Sequence, residues 1–421
     1  MKKPLRIVHL NASSAGGAYV AAQRLCDALN QLDGVQSSHL IFEGQKGPHK
    51  LWANSWIRKK WAFLLHAIEK LDFLRFEKST SIRFAFSHAP TGIHILNHPE
   101  VKNADVINLH WVNKGFLSFT SISELIHSGK KIVWTCHDVW PFTGGCYHPR
   151  GCDHFIQGCG NCQYLKNPNF NDLSKQVFDQ KHALWGQGQI DFVTPSKWLA
   201  ETALKSFMLK CPSEKITVIP NGVDVNFFRV PNFDEAKEAR ASLGMDEANL
   251  VLMFSAANLT NRAKGFLEFL DVCEKLNAIG IDVRALVIGD AREQFYQTTV
   301  QIHYMGFISD SNALRSAYWA SDIYVTTSHE ENLPTTIMES LSCGVPVAAF
   351  SVGGIPEMIF DGETGVLAEP LNTLELSNKM RQFLLELRES PEKIRTNCEK
   401  FTLRHYSDAV IAQEYLEIYR K

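Results

Sequence analysis

Long apolar runs are the first thing this sequence lacks. No stretch approaches the roughly 18 to 20 apolar residues that carry a helix across a bilayer, so no membrane-spanning helix is expected. Charge of one sign is equally scarce. Lys and Arg number 43 against 45 Asp and Glu, for a net charge of −2, which argues against a general nucleic-acid binder. No Gly-x-Ser-x-Gly occurs, so the serine elbow of a hydrolase is excluded. Internal repeats and low-complexity tracts are also missing. What remains is a globular composition over 421 residues, more than one core usually holds, and two domains are expected. The opening MKKPLRIVHLNASSAGG places two lysines before an apolar stretch, as a signal peptide does, but Arg6, His9 and Asn11 interrupt it. It reads better as a first strand and a glycine loop, so a cytoplasmic protein is expected. Its ten cysteines are then expected to be thiols or metal ligands rather than disulfides.

Strand, glycine loop and amphipathic helix follow one another in LRIVHL, NASSAGGA and YVAAQRLCDALNQL. That order opens a doubly wound α/β domain, in which ligands sit at strand C-terminal ends. Gly16 and Gly17 fall short of a full dinucleotide fingerprint, and a tight turn alone would account for them. ADVINLHW (104–111) and KKIVWTCHD (130–138) read as two further strands, each ending in a histidine. His137 and Asp138 stand where an open sheet places its site residues, whereas His110 is open between ligand contact and packing. Pro220-Asn221-Gly222 is a strong turn signal inside KITVIPNGVDVNFF, and the domain boundary is placed just before that segment. The expected division is 1–214, then 215–400, then a C-terminal helix over 401–421 with Val410, Tyr415, Ile418 and Tyr419 on its apolar face.

Residues 55–87 differ in texture. Seven Lys and Arg face three acidic residues there, interleaved with Trp56, Trp61, Phe63, Phe73, Phe76, Phe84 and Phe86. Such a stretch suits a surface that leans on anionic lipid at the inner face of a membrane. A helical pair packed on the sheet with a solvated basic face is the competing reading. Further on, Cys146, Cys152, Cys159 and Cys162 are spaced C-x5-C-x6-C-x2-C. Four soft ligands in one loop suit a closed structural zinc site. Reduced thiols packed in a loop, or an adventitious disulfide, remain the alternative.

The segment SHEENLPTTIMESLSCGVPVAAFSVGGIPE (328–357) is the most informative in the chain. It reads as loop, helix, strand and a second glycine loop, with Glu331 before the helix and Glu339 inside it. A loop feeding a helix N-terminus suits an anion such as phosphate. Spacing alone leaves Glu331 open as a helix-dipole partner and Glu339 as a solvated helix carboxylate. Arg262 and Lys264 likewise precede a helix, where a pyrophosphate would be favoured.

This segment resembles the E-x7-E motif of family-4 retaining glycosyltransferases, including the ESLSCGVPV tail and the GGIPE that follows. The resemblance implies a GT-B fold: two Rossmann-like doubly wound domains facing each other across a cleft, with the last helix crossing back to the N-terminal domain. It implies that Glu331 faces the donor sugar and that Glu339 binds the nucleotide ribose. Asn332, Leu333, Pro334 and Thr335 would line the donor, and Gly16 and Gly17 would face its phosphates. Phe307 and Ile308 would hold the nucleobase. VWTCHDVWPFTG resembles the family segment whose histidine, here His137, lines the donor-sugar pocket. Lys264 fits the family's phosphate-binding lysine. The usual arginine position holds Leu259, so Arg262 is expected to supply that charge from a shifted loop. The cysteine loop resembles one found in colanic-acid-type bacterial members, which points to surface polysaccharide, including lipopolysaccharide.

The implied chemistry is transfer from a nucleotide sugar to a glycan or lipid-linked glycan with retention of configuration. No two aspartates lie two apart, so the Asp-x-Asp metal motif of the other large glycosyltransferase fold is absent. Catalysis is therefore expected to need no cofactor, with Lys264, Arg262 and loop amides stabilising the leaving diphosphate. Two other readings stay open. One is a GT-B epimerase or phosphorylase, and the other a catalytically silent nucleotide-sugar-binding protein.

Overall fold

A computed structural model describes residues 3–187, 189–209, 216–246, 250–291 and 297–421. The chain divides into two units, Met1–Asn221 with Ile411–Lys421, and Gly222–Val410.

The first unit holds seven strands: β1 (Leu5–Ser13), β2 (Val35–Glu43), β3 (Lys50–Leu51), β4 (Val106–Leu109), β5 (Lys131–Thr135), β6 (Ile190–Thr194) and β7 (Ile216–Val218). They form one parallel sheet in the order β3-β2-β1-β4-β5-β6-β7. β4 and the last four residues of β5 are buried throughout, as strands covered on both faces must be. Register is set by Leu10 opposite Leu109 and Leu109 opposite Trp134. The order reverses between β1 and β4, because β1 leads to β2 on one side and the chain returns to β4 on the other. Ligands of open α/β sheets collect at the carboxyl ends of strands flanking such a reversal.

Helix Asp408–Arg420 closes this sheet, with Ile411, Tyr415, Ile418 and Tyr419 packed among Ile7, Val106 and Val133. Asn108 Nδ2 donates to the Tyr419 hydroxyl at 2.6 Å, and the Thr135 and Tyr415 hydroxyls lie 3.1 Å apart. Two expectations about this helix need correction. Val410 is exposed and Ile411 takes its place on the apolar face, one position along the helical period. Residues 401–405 belong to helix Pro391–His405 of the second unit, so the segment that joins the first unit begins at Ile411 rather than at 401.

The second unit holds β8 (Leu250–Asn258), β9 (Val283–Asp290), β10 (Gln301–Gly306), β11 (Ile323–Thr326), β12 (Val347–Phe350) and β13 (Gly365–Ala368). All pair in parallel in the order β10-β9-β8-β11-β12-β13, with the reversal between β8 and β11. The boundary expected between 214 and 215 lies outside the described residues. The units divide after Asn221, because β7 completes the first sheet beside β6.

Residues 55–87 are not a helical pair. They form one helix, Trp56–Phe73, followed by irregular chain with a single 3₁₀ turn at Thr80–Ile82. No helix among the described residues is long and apolar enough to cross a membrane.

Candidate active site

In the second unit, two loops meet at the β8/β11 reversal. After β8, Asn261 Oδ1 accepts from the Ala263 amide at 3.2 Å and starts a 3₁₀ turn, Arg262–Lys264. Gly265 ends that turn at φ 75°, and a Cβ there would lie 1.8 Å from the Thr327 carbonyl oxygen. Only glycine permits both that backbone and that approach. The Thr327 hydroxyl donates to the Gly265 carbonyl at 2.7 Å, and the His329 amide to the Ala263 carbonyl at 2.9 Å. The loop after β11 is thus stitched to the loop after β8. Its other side is pressed by Gly353 at φ 55°, where a Cβ would lie 1.7 Å from the Glu331 carbonyl oxygen.

This stitching brings Lys264 and Glu331 together, Nζ directly on Oε1. The Ser328 hydroxyl donates to the same carboxylate oxygen at 3.1 Å. The result is an ammonium and a carboxylate, both reachable from solvent, at the start of helix Thr335–Ser342. Glu331 and Asn332 are half-buried, Leu333 is buried, and Pro334 and Thr335 begin the helix. Glu339 is buried inside it, and the Tyr318 hydroxyl donates to its Oε2 at 3.0 Å. The reading of Glu339 as a solvated helix carboxylate is therefore set aside, since Ile337 to Ser342 are all buried. Phe307, strongly exposed, and Ile308, half-buried, follow the end of β10.

Arg262 does not join Lys264. It is 64% exposed and its Nη2 bonds Glu268 Oε1 at 3.3 Å, so in this structure it supplies no second charge beside the Lys264–Glu331 pair. The cause is local: Glu268 in the first turn of helix Phe266–Ala278 draws the guanidinium to itself.

In the first unit, Gly16 and Gly17 open helix Gly17–Leu29 at the C-terminal end of β1. His137 follows β5, half-buried, and burial lowers its pKa to about 4. Its Nε2 lies 2.9 Å from Nδ1 of His110, which follows β4. Next to it, Asp138 Oδ1 accepts from the Trp140 amide at 2.8 Å. Burial raises the Asp138 pKa to about 7. The turn after Asp138 hangs from Lys181, a fully buried lysine that sequence reasoning passed over. Lys181 Nζ donates to the Trp140 and Thr143 carbonyls at 2.6 and 3.1 Å and stands 3.5 Å from the Trp140 ring centre. His9 was also passed over. One histidine inside β1 and one just after each of β4 and β5 are visible in the sequence, but they become a signal only once those strands are known to be neighbours.

Cys146, Cys152, Cys159 and Cys162 are all free thiols and, with His154, line one cavity of about 20 Å³. The Gly144 amide donates to Cys159 Sγ at 3.2 Å. Burial raises the pKa of Cys146, Cys159 and Cys162, the last to about 11. No group of three or more His, Cys, Asp or Glu among the described residues is gathered closely enough to hold a metal ion. The four thiols surround a common space without converging on one point.

Residues 15–227 match the model of Glycosyltransferase Family 4, and residues 235–401 that of Glycosyl transferases group 1. A protein of Escherichia coli (strain K12) named as a colanic acid biosynthesis glycosyl transferase, WcaC, is 26% identical over 334 residues, 76% of each chain. An N,N'-diacetylbacillosaminyl-diphospho-undecaprenol alpha-1,3-N-acetylgalactosaminyltransferase of Campylobacter jejuni is 30% identical over 212 residues, covering 49% of this chain and 54% of that one. Among solved structures, Anabaena Alr3699/HepE in complex with UDP-glucose superposes with a TM-score of 0.67 at 17% identity, covering 98% of this chain and 99% of the other. The glycosyltransferase WaaG, involved in lipopolysaccharide biosynthesis, superposes at 0.65 with 14% identity over the same shares.

Proposed function

Because this chain belongs to glycosyltransferase family 4, we propose that it moves a sugar from a nucleotide-sugar donor onto a glycan or lipid-linked glycan, with retention and without a catalytic metal. It is a glycosyltransferase of the GT-B fold. The observation that carries the finer reading is the Lys264–Glu331 pair, held at the β8/β11 reversal by Gly265 and Gly353. A donor diphosphate would take the Lys264 ammonium as counter-charge, aided by the amides at the start of helix Thr335–Ser342. Glu331, released from the lysine, would accept from sugar hydroxyls and orient the ring. Glu339 would meet the ribose, and Phe307 the base. The diphosphate leaves toward Lys264 as the C1–O bond breaks. The acceptor oxygen then attacks from the same face, passing its proton to the departing phosphate.

The relatives named for colanic acid and for a diphospho-undecaprenol acceptor support a role in surface polysaccharide, at the cytoplasmic face of a membrane. The test is nucleotide release from UDP-, GDP- and ADP-sugars, with donor binding followed by calorimetry. Release or binding with one donor and no other is expected. A protein that binds none of the three nucleotide classes would overturn the reading.

Helix Trp56–Phe73 supports a lipid-facing side. Trp56, Ile57 and Phe63 are 68%, 70% and 73% exposed, and Arg58, Lys59 and Lys60 are exposed beside them. Large apolar groups turned to solvent among cations match an anionic bilayer surface. Cosedimentation with vesicles containing phosphatidylglycerol is expected, and is expected to fall at least about tenfold in Ile57→Glu/Phe63→Glu, since each apolar side chain contributes about 1.5 kcal/mol or more. Equal binding by the variant, or equal binding to phosphatidylcholine alone, would dismiss this surface.

The cysteine loop is proposed to take a structural zinc ion, its thiols turning into their shared cavity. Its support is the common lining by four cysteines and the Gly144 amide aimed at sulfur. Metal analysis of protein purified without chelator is expected to find about one zinc per chain, lost in Cys159→Ser/Cys162→Ser. Zinc-free protein with all four thiols reactive would refute it.

A further inference from the structure

β1, β4 and β5 lie side by side, with His9 in the middle of β1 opposite Asn108 of β4, and His110 and His137 just beyond the ends of β4 and β5. His9 Nδ1 lies 2.9 Å from His110 Nε2, and His110 Nδ1 lies 2.9 Å from His137 Nε2. At the far end, His9 Nε2 lies 3.1 Å from the hydroxyl of Ser37 on β2. His9 and His110 are buried, and the His110 and His137 rings are stacked, 22° apart in plane. The contacts run head to tail: the Nδ1 of one ring always meets the Nε2 of the next.

A neutral imidazole donates from one nitrogen and accepts at the other. Burial holds all three rings neutral, by lowering their pKa values. A file of this kind then has only two fully bonded arrangements. If the protons point toward His137, all three rings are protonated at Nδ1. If they point toward Ser37, all three are protonated at Nε2. Any mixed arrangement sets two N–H groups, or two lone pairs, against each other in a dry interior.

We propose that His110 and His9 are positioning residues that fix the ring plane and the tautomer of His137, presenting it to a sugar hydroxyl as a neutral hydrogen-bonding group of one polarity. This rests on the reading of His137 as a donor-sugar residue. The file reaches from β2, across the β1/β4 reversal, to the end of β5. It couples His137 to a serine on β2 that meets no substrate in this scheme.

The test is the ¹⁵N spectrum of the histidine ring nitrogens in the intact protein at one neutral pH. His9, His110 and His137 are expected to show the same tautomer, whichever it is. In His110→Phe, which keeps a flat ring and removes both nitrogens, His137 is expected to become a mixture of tautomers. Its donor-dependent nucleotide release should fall by about tenfold or more. His110→Asn, whose amide can still reach His137 from the Nδ1 position, is expected to recover most of that loss. If His110→Phe does not fold, Ser37→Ala probes the far end of the file, with a change in the His137 signals expected. Opposite tautomers in His110 and His137, or a His137 spectrum indifferent to His110→Phe and Ser37→Ala, would overturn the inference. The underlying reading fails differently. In that event His137→Ala would release nucleotide at the wild-type rate, while the shared tautomer persisted.

Discussion

Lys264→Ala is expected to lower donor-dependent nucleotide release by about 10²- to 10³-fold, the usual loss when one group stabilising a developing anion is removed. Its folding stability should stay within about 1 kcal/mol of wild type, because a partly exposed ion pair contributes little. The two readouts together separate chemistry from structure. Lys264 pairs with Glu331, and the loop geometry around both residues is held by Gly265, Thr327 and Gly353 through contacts that the substitution leaves alone. Arg262→Ala is the informative companion. The guanidinium is exposed and engaged with Glu268, so its loss is expected to cost less than about tenfold in release, in keeping with a weak surface pair. Release within about threefold of wild type in Lys264→Ala would remove the lysine from the leaving-group site. A loss in Arg262→Ala as large as that in Lys264→Ala would mean that the arginine swings across when donor binds. Glu331→Gln completes the set: it keeps the side-chain shape, removes the charge that neutralises Lys264, and should retain donor binding better than turnover.

The second large effect is loss of stability in mild acid. His9, His39 and His110 are all buried, and burial lowers the pKa of each, that of His9 to about 3. An unfolded histidine titrates near 6.5. Below that pH the unfolded chain binds protons that the folded chain refuses, so stability is full above pH 6.5 and falls as pH drops toward the folded values. Each group removes up to about 1.4 kcal/mol per pH unit in that window, so three remove about 4 kcal/mol by pH 5.5. Asp138 opposes this. Burial raises its pKa to about 7, so the folded state takes up a proton between pH 7 and about 4 that the unfolded state does not, returning up to about 1.4 kcal/mol per unit. The net loss, on the order of 2 kcal/mol by pH 5.5, is a substantial share of the roughly 5–15 kcal/mol of a domain.

Denaturant unfolding followed by tryptophan fluorescence at pH 7.5 and pH 5.5 would measure it. Eight of the nine tryptophans lie in the first unit, so the signal reports the sheet that holds these histidines. Equal midpoints at the two pH values would mean that the imidazoles accept protons inside the fold, and would also undercut the neutral file from His9 to His137.

Much of this protein was legible before any tertiary contact was known. Apolar runs of strand length alternating with helical periods imply parallel α/β sheets, because a strand buried on both faces must be apolar along its length. Glycine loops after strands, the pair Glu331 and Glu339, and Lys264 before a helix each announce themselves within about ten residues. Those signals are local: backbone freedom at Gly353, a helix N-terminus at Thr335, the spacing of two carboxylates.

What tertiary structure decided is where partners are far apart in sequence. Strand order made neighbours of β1, β4 and β5, and only that order turns three scattered histidines into one hydrogen-bonded file. Glu339 is buried against Tyr318, 21 residues away, rather than solvated. Arg262 is claimed by Glu268, and the turn after Asp138 by Lys181, 41 residues beyond Trp140. The unit boundary moved to Asn221 because β7 found its partner in β6. Periodicity states which face of a segment is buried but not what it is buried against. That choice is made by cooperative packing of the whole sheet, in which each strand's place depends on all the others.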